Sequence, residues 1–121
     1  MNILFASSEA VPFAVSGGLA EVAGALPKAL KAKGEDVRVI LPLYGSVTEE
    51  QRAEMKYLLN FDVAVAWRRQ YCGVFEAKAD GVTYYLLDNE YYFKRSGLYG
   101  YYDDAERFAF FSRAVLDTVK H

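Results

Sequence analysis

Among its 121 residues the sequence has one cysteine, Cys72, and one histidine, His121. A lone cysteine excludes an internal disulfide framework and a four-cysteine zinc site. A lone histidine at the last position excludes a histidine-dependent triad or a histidine-rich metal site within this chain. Excess charge is also missing: 14 basic and 16 acidic residues leave a formal net charge of -2. That lacks the basic footprint of a nucleic-acid binder. No run approaches the roughly 20 consecutive apolar residues of a membrane helix. Met1-Asn2-Ile3-Leu4-Phe5-Ala6 has no basic n-region and only a short apolar run, so a cytoplasmic protein opening on a strand is expected. Asn2 excludes N-myristoylation. What the sequence has in excess is aromatic, 16% of residues, with 10 Tyr and 8 Phe. With 53% hydrophobic and 25% charged residues, the chain has the make-up of a folded domain of ordinary size.

Ile3 to Ala6 is a continuous apolar run, the pattern of a strand buried in a parallel sheet. A loop with Pro12 and Gly17-Gly18 follows. Leu19, Val22, Ala23, Leu26, Ala29 and Leu30 then recur at helical spacing and predict one apolar face, with Gly34 as the stop. Pro27 lies inside this pattern and is expected to kink or break the helix, with Gly24 permitting the bend. Val37 to Leu41 is a second strand ended by Pro42, which completes a βαβ unit with parallel neighbours. Thr48 to Arg52 predicts a short capped helix. Phe61, Val63, Val65 and Trp67 alternate with Asp62, Ala64 and Ala66, which predicts a strand with Trp67 in the core. Tyr71–Ala77 and Val82–Leu87 predict two more strands joined by Asp80-Gly81, a hairpin signal. Residues 88–102 read as an aromatic loop with Tyr91, Tyr92, Phe93, Tyr99, Tyr101 and Tyr102. Asp103-Asp104 opens a last helix whose apolar face is Phe108, Phe111, Ala114 or Val115, and Val119. The expected fold class is α/β: a Rossmann-like, partly parallel sheet with an antiparallel hairpin, in one domain over residues 1–121.

The first strand-to-helix connection, from Ser8 to Val22, carries the strongest chemical signal. Ligands of open α/β sheets bind beyond the carboxyl ends of strands. Two glycines at a helix start can bring bare N–H groups against an anion. The spacing is neither a GxGxxG fingerprint nor a P-loop, so a structural turn and a phosphate cradle both remain open. Cys72 reads as a buried small hydrophobe, and Arg68 and Arg69 as a solvated strand end rather than a phosphate clamp.

Several blocks then resemble one family in the same order. They are Met1-Asn2-Ile3-Leu4-Phe5, Ser8-Glu9-Ala10-Val11-Pro12-Phe13, Ser16-Gly17-Gly18-Leu19-Ala20-Glu21-Val22 and Gly24-Ala25-Leu26-Pro27-Lys28-Ala29-Leu30. Further blocks are Asp36 to Tyr44, Leu87 to Phe93, Gly97-Leu98-Tyr99-Gly100 and Asp103 to Phe111. Together they resemble the amino terminus of bacterial glycogen synthases and plant starch synthases. The resemblance implies a retaining glycosyltransferase of two Rossmann domains, with the active site in the cleft between them. It implies transfer of glucose from ADP-glucose to the non-reducing end of an α-1,4-glucan, with no metal and no cofactor. The glycine loop would approach the sugar-nucleotide phosphates, and the second domain would supply most of the nucleotide site.

Two departures stand out. The family usually has Lys-Thr-Gly-Gly-Leu at the loop, whereas this chain has Val15-Ser16-Gly17-Gly18-Leu19, so the lysine that contacts the donor is replaced by an apolar residue. Glu21 stands where the family more often has aspartate. The family's histidine motif and second domain do not occur in this sequence, so the chain reads as the amino-terminal quarter of a longer synthase, inactive alone and prone to self-association. The candidate substrate-binding residues are Glu9, Val15, Ser16, Gly17, Gly18 and Glu21, with Tyr99 and Tyr101 as candidate glucan contacts; none is assigned a catalytic or metal-binding role. The alternatives are a related transferase with another donor, such as UDP-glucose, and a stand-alone glucan- or nucleotide-binding module.

Overall fold

The computed structural model describes residues 1–120; His121, the lone histidine at the last position, lies outside the described residues. Five strands form one sheet in the order β1-β2-β5-β4-β3. They are β1 (Asn2–Ala6), β2 (Asp36–Pro42), β3 (Lys56–Val65), β4 (Arg68–Ala79) and β5 (Val82–Asp88). β1, β2 and β5 run parallel, and β4 and β3 add antiparallel ladders. The expected Rossmann-like, partly parallel sheet with an antiparallel hairpin is therefore present. Among the described residues the helices are α1 (Gly18–Ala32), α2 (Glu49–Ala53), α3 (Glu90–Phe93) and α4 (Asp104–Val119).

The hairpin signal resolves as read. Asp80 and Gly81 both take positive φ, 51° and 78°, as a two-residue turn matched to strand twist requires. Thr48 and Gln51 form a reciprocal capping box on α2. Alternation of side chains separates the helices onto the two faces of the sheet. Tyr84 meets Phe13 edge-on at 5.1 Å and its hydroxyl donates to the Val11 carbonyl, on the side of α1. Its neighbour Tyr85 lines an apolar groove with Leu4, Leu59, Val74 and, from α4, Val119. Val39, Ile40, Leu41, Leu86 and Leu87 fill the centre and are fully buried. Each such side chain contributes about 1.5–3 kcal/mol by leaving water.

Several expectations are corrected. α1 runs unbroken through Pro27, whose ring is buried. The side of α1 turned inward carries Ala20, Ala23 and Pro27, while Leu19, Val22 and Leu26 are exposed. Small residues win because the helix lies close on the preceding loop. A Cβ on Gly24 would stand 3.2 Å from the Val11 Cβ, so Gly24 serves close packing rather than a bend. Trp67 is 83% exposed, because β3 ends at Val65 and Ala66 turns the chain with φ 52°. Arg68 is not simply solvated: it stacks on the Trp67 ring and pairs with Glu106 at 3.3 Å. Residues 88–102 are not all loop. Asn89 caps α3 by accepting from the Tyr92 N–H, and Tyr92 and Phe93 are fully buried against Phe110. On α4 the inward face is Arg107, Phe110, Phe111 and Ala114, while Val119 is exposed. Asp103 is taken by Arg95 at 2.6 Å, and Asp104 instead accepts from the Gly100 and Tyr101 N–H groups.

Candidate functional site

The carboxyl ends of the parallel strands β1 and β2 lie side by side, which brings Ser8, just past β1, near Tyr44, just past β2. The buried Tyr44 hydroxyl donates to the Ser8 carbonyl at 2.6 Å. Burial drives the Tyr44 hydroxyl's pKa far up, so it stays a neutral donor. The loop from Ser8 to Gly17 leaves this anchor and turns into α1 through a cis Val11–Pro12 peptide.

Glu9 is the hub of the loop. Its side chain is buried, and one carboxylate oxygen accepts from the Gly17 N–H and the Ala20 N–H, each at 3.1 Å. The other accepts from the Ser16 hydroxyl and the Tyr99 hydroxyl, each at 2.6 Å. Burial pushes this carboxyl up, but the hydrogen bonds from Ser16, Tyr99 and the backbone outweigh it, and the net value lies below the ordinary 4.5. Tyr99 also takes a hydrogen bond from the Ser8 hydroxyl, 2.7 Å away. Burial and the bond to Glu9 raise the Tyr99 phenol.

The candidate residues divide on this frame. Glu9, Ser16, Gly17 and Tyr99 form one hydrogen-bonded cluster. The Gly17 N–H is thereby spent on Glu9. The N–H groups of Gly18 and Leu19 meet no acceptor among the described residues, and a Cβ at Gly18 would touch nothing within 4 Å. Val15 is 58% exposed beside them, and Glu21 is exposed in the first turn of α1. From Ser8 to Val22 the only charged side chains are Glu9 and Glu21, so this loop offers backbone donors and a helix dipole but no cation.

Tyr101 is held elsewhere. Its hydroxyl accepts from the Gly97 N–H at 2.9 Å, and its ring lies against the guanidinium groups of Arg95 and Arg107, at 5.0 and 4.9 Å. Arg107 itself is fully buried and donates to the carbonyls of Tyr92 and Leu98 and to Asp104. Sequence reasoning missed Tyr44 and Arg107. Tyr44 could have been found from the parallel pairing, which places the residues after β1 and β2 together. Arg107 gave no such signal, because a charged residue on a helix normally reads as exposed.

The family model described as the starch synthase catalytic domain matches residues 2–121. The chain belongs to the starch synthase catalytic domain family. Its relatives include a glycogen synthase of Caldicellulosiruptor saccharolyticus, 57% identical over 121 residues, and one of Anoxybacillus flavithermus, 59% identical over 119 residues. These alignments cover 100% and 98% of this chain, and this chain spans a quarter, 25%, of the length of each relative. A solved structure of the catalytic domain of starch synthase IV from Arabidopsis thaliana, bound to ADP and acarbose, superposes with a TM-score of 0.88 at 27% identity. It matches 98% of this chain, which covers 25% of that one. The span matched in this starch synthase-type domain includes the glycine loop and Val15. No helix among the described residues is long and apolar enough to cross a membrane.

Proposed function

We propose that this chain is the amino-terminal part of a cytoplasmic glycogen synthase that transfers glucose from ADP-glucose to the non-reducing end of an α-1,4-glucan with retention. The observation that carries the reading is the pair of unclaimed N–H groups, Gly18 and Leu19, at the start of a 15-residue helix beyond β1, inside a loop that the family match spans. Such a helix end stabilises a diphosphate through donors and dipole together. The Arabidopsis starch synthase IV structure is bound to ADP, which supports a nucleotide ligand for a protein built this way.

The division of labour follows from charge. A departing ADP carries negative charge that the loop meets with dipoles only, because Val15 supplies no cation and Glu9 and Glu21 are anionic. The fixed cations must come from the second domain, which is this chain's principal partner. Residues 1–121 form part of the first domain and line the glucan side of the cleft; alone they transfer no glucose. Leu19, Val22 and Leu26, exposed on α1, and the open edge of β1 favour self-association of the isolated chain. Sedimentation at several concentrations tests this; a monomer throughout refutes it.

The central experiment is glucose incorporation into glycogen by the full-length protein, with ADP-glucose and UDP-glucose in competition. ADP-glucose is expected to be used. Preference for UDP-glucose would favour the related transferase, for which the missing lysine at Val15 is the specific motive. No incorporation from any nucleotide sugar would overturn the assignment.

A further inference from the structure

Glu9 stands where a helix start attracts an anion, yet it leaves no acceptor capacity for a ligand. A carboxylate has about four lone-pair sites. Here four protein donors fill them: two N–H groups on one oxygen and two hydroxyls on the other. The side chain is 2% exposed, so a substrate hydroxyl would have to displace one of these donors to reach it. A direct substrate contact is therefore a poor description of this residue.

Its effect on the loop is specific. By occupying the Gly17 and Ala20 N–H groups it leaves Gly18 and Leu19 as the two outward donors of the first turn. Gly17 and Ser16 are pinned from inside, so the exposed Gly18 follows them with little freedom. The Tyr99 hydroxyl reaches the same oxygen from the far side of the sequence, and Ser8 donates to that hydroxyl. The glycine loop and the 97–103 loop therefore share one anion. Tyr99 in turn packs on Phe108 of α4 at 5.8 Å.

We propose that Glu9 is a positioning residue: an internal anion that sets which N–H groups of the glycine loop face the ligand, and couples that loop to the 97–103 loop through Tyr99. The inference rests on the diphosphate reading only for its kinetic consequence.

The test uses the full-length protein. Glu9→Ala removes all four acceptor bonds. Glu9→Gln can refill them, because both hydroxyls can turn round and accept from the amide while its oxygen keeps the two N–H groups. Tyr99→Phe deletes one donor and keeps the ring. Backbone amide exchange of the segment 14–22 is expected to accelerate at least about tenfold in Glu9→Ala, with β2 and β5 unchanged. KM for ADP-glucose is expected to rise by about tenfold or more in that variant, with kcat changed less, because a smaller fraction of the loop is competent to bind. Glu9→Gln should recover most of both effects, and Tyr99→Phe should show a smaller rise in each. Unchanged exchange in the 14–22 segment, or faster exchange with unchanged KM, would overturn the proposal. If Glu9→Ala does not fold, Tyr99→Phe still decides, since the proposal requires it to loosen the segment measurably while Glu9→Gln stays near the wild type. If the wild type transfers no glucose, the transferase reading falls, and the exchange comparison alone decides the role of Glu9.

Discussion

The Arg107 Nη1 donates to the Leu98 carbonyl at 3.0 Å, so a fully buried cation ties α4 to the loop that precedes it. The same side chain donates Nε to the Tyr92 carbonyl at 2.7 Å, and its guanidinium lies over Tyr101 and Phe108. Removing it strands two carbonyls in the interior. Arg107→Met is expected to destabilise the protein by about 2–4 kcal/mol. Arg107→Lys should rescue little, since an ammonium cannot reproduce the fork. Urea midpoints measure both, and a shift below about 0.5 kcal/mol for the methionine variant would contradict the assignment.

Acid should release the glycine loop. The Glu9 carboxyl is lowered in the folded protein relative to 4.5, so the folded state holds its proton less tightly than the unfolded chain. Its stabilisation is present above the unfolded value and is lost as pH falls through the folded one. Glu9→Gln is therefore expected to flatten the stability-against-pH curve below about pH 5. Chemical denaturation at a series of pH values reads this directly; an unchanged acid limb would count against the buried carboxylate being ionised.

Two glycines should respond in opposite ways. A Cβ on Gly45 would stand 3.1 Å from both the Arg95 nitrogen and the Arg95 oxygen, atoms of the backbone that cannot step aside. Gly45→Ala is expected to cost about 1–3 kcal/mol. A Cβ on Gly18 meets nothing, so Gly18→Ala should leave stability within about 0.5 kcal/mol. In the full-length protein, on the proposed diphosphate reading, it is expected to weaken ADP-glucose binding by about tenfold, because the methyl would hold a phosphate away from the Gly18 N–H. Equal effects of the two variants on thermal stability would refute this contrast.

Val15 is exposed enough to accept a longer side chain without repacking. Val15→Lys is expected to lower KM for ADP-glucose by roughly three- to tenfold, the size of one charge-assisted hydrogen bond in a partly solvated site. The gain should shrink at high salt. Steady-state kinetics at two ionic strengths provide the check, and a higher KM would show that the loop does not place position 15 against the donor.

Cys72 is fully buried in β4, and burial pushes its thiol up to about 12. Thiol reagents are expected to modify it at neutral pH only after unfolding, with a rate that tracks denaturant. Fast modification of the native protein would contradict the burial.

The sequence by itself determined the strand order along the chain, the hairpin at Asp80-Gly81, the capped helix after Thr48 and the family. These depend on neighbours a few residues apart or on an ordered series of motifs, and both survive without knowledge of the third dimension. It also identified the glycine loop as the place of interest, and Cys72 as buried. It misjudged α1, where helical periodicity selected Leu19, Val22 and Leu26 as the inward face. Only the tertiary structure decided that Ala20, Ala23 and Pro27 turn inward, because the closeness of Val11 to Gly24 admits no large side chain there. Only the tertiary structure sorted the aromatics, burying Tyr92 and Phe93 and leaving Trp67 outside. And only there do Glu9 and Tyr99, 90 residues apart, share a hydrogen bond. The lone carboxylate of the loop could not be recognised as an internal anchor from sequence, since its donors come from two separate segments, residues 16–20 and Tyr99, that meet it only when β1, α1 and the 97–103 loop pack together.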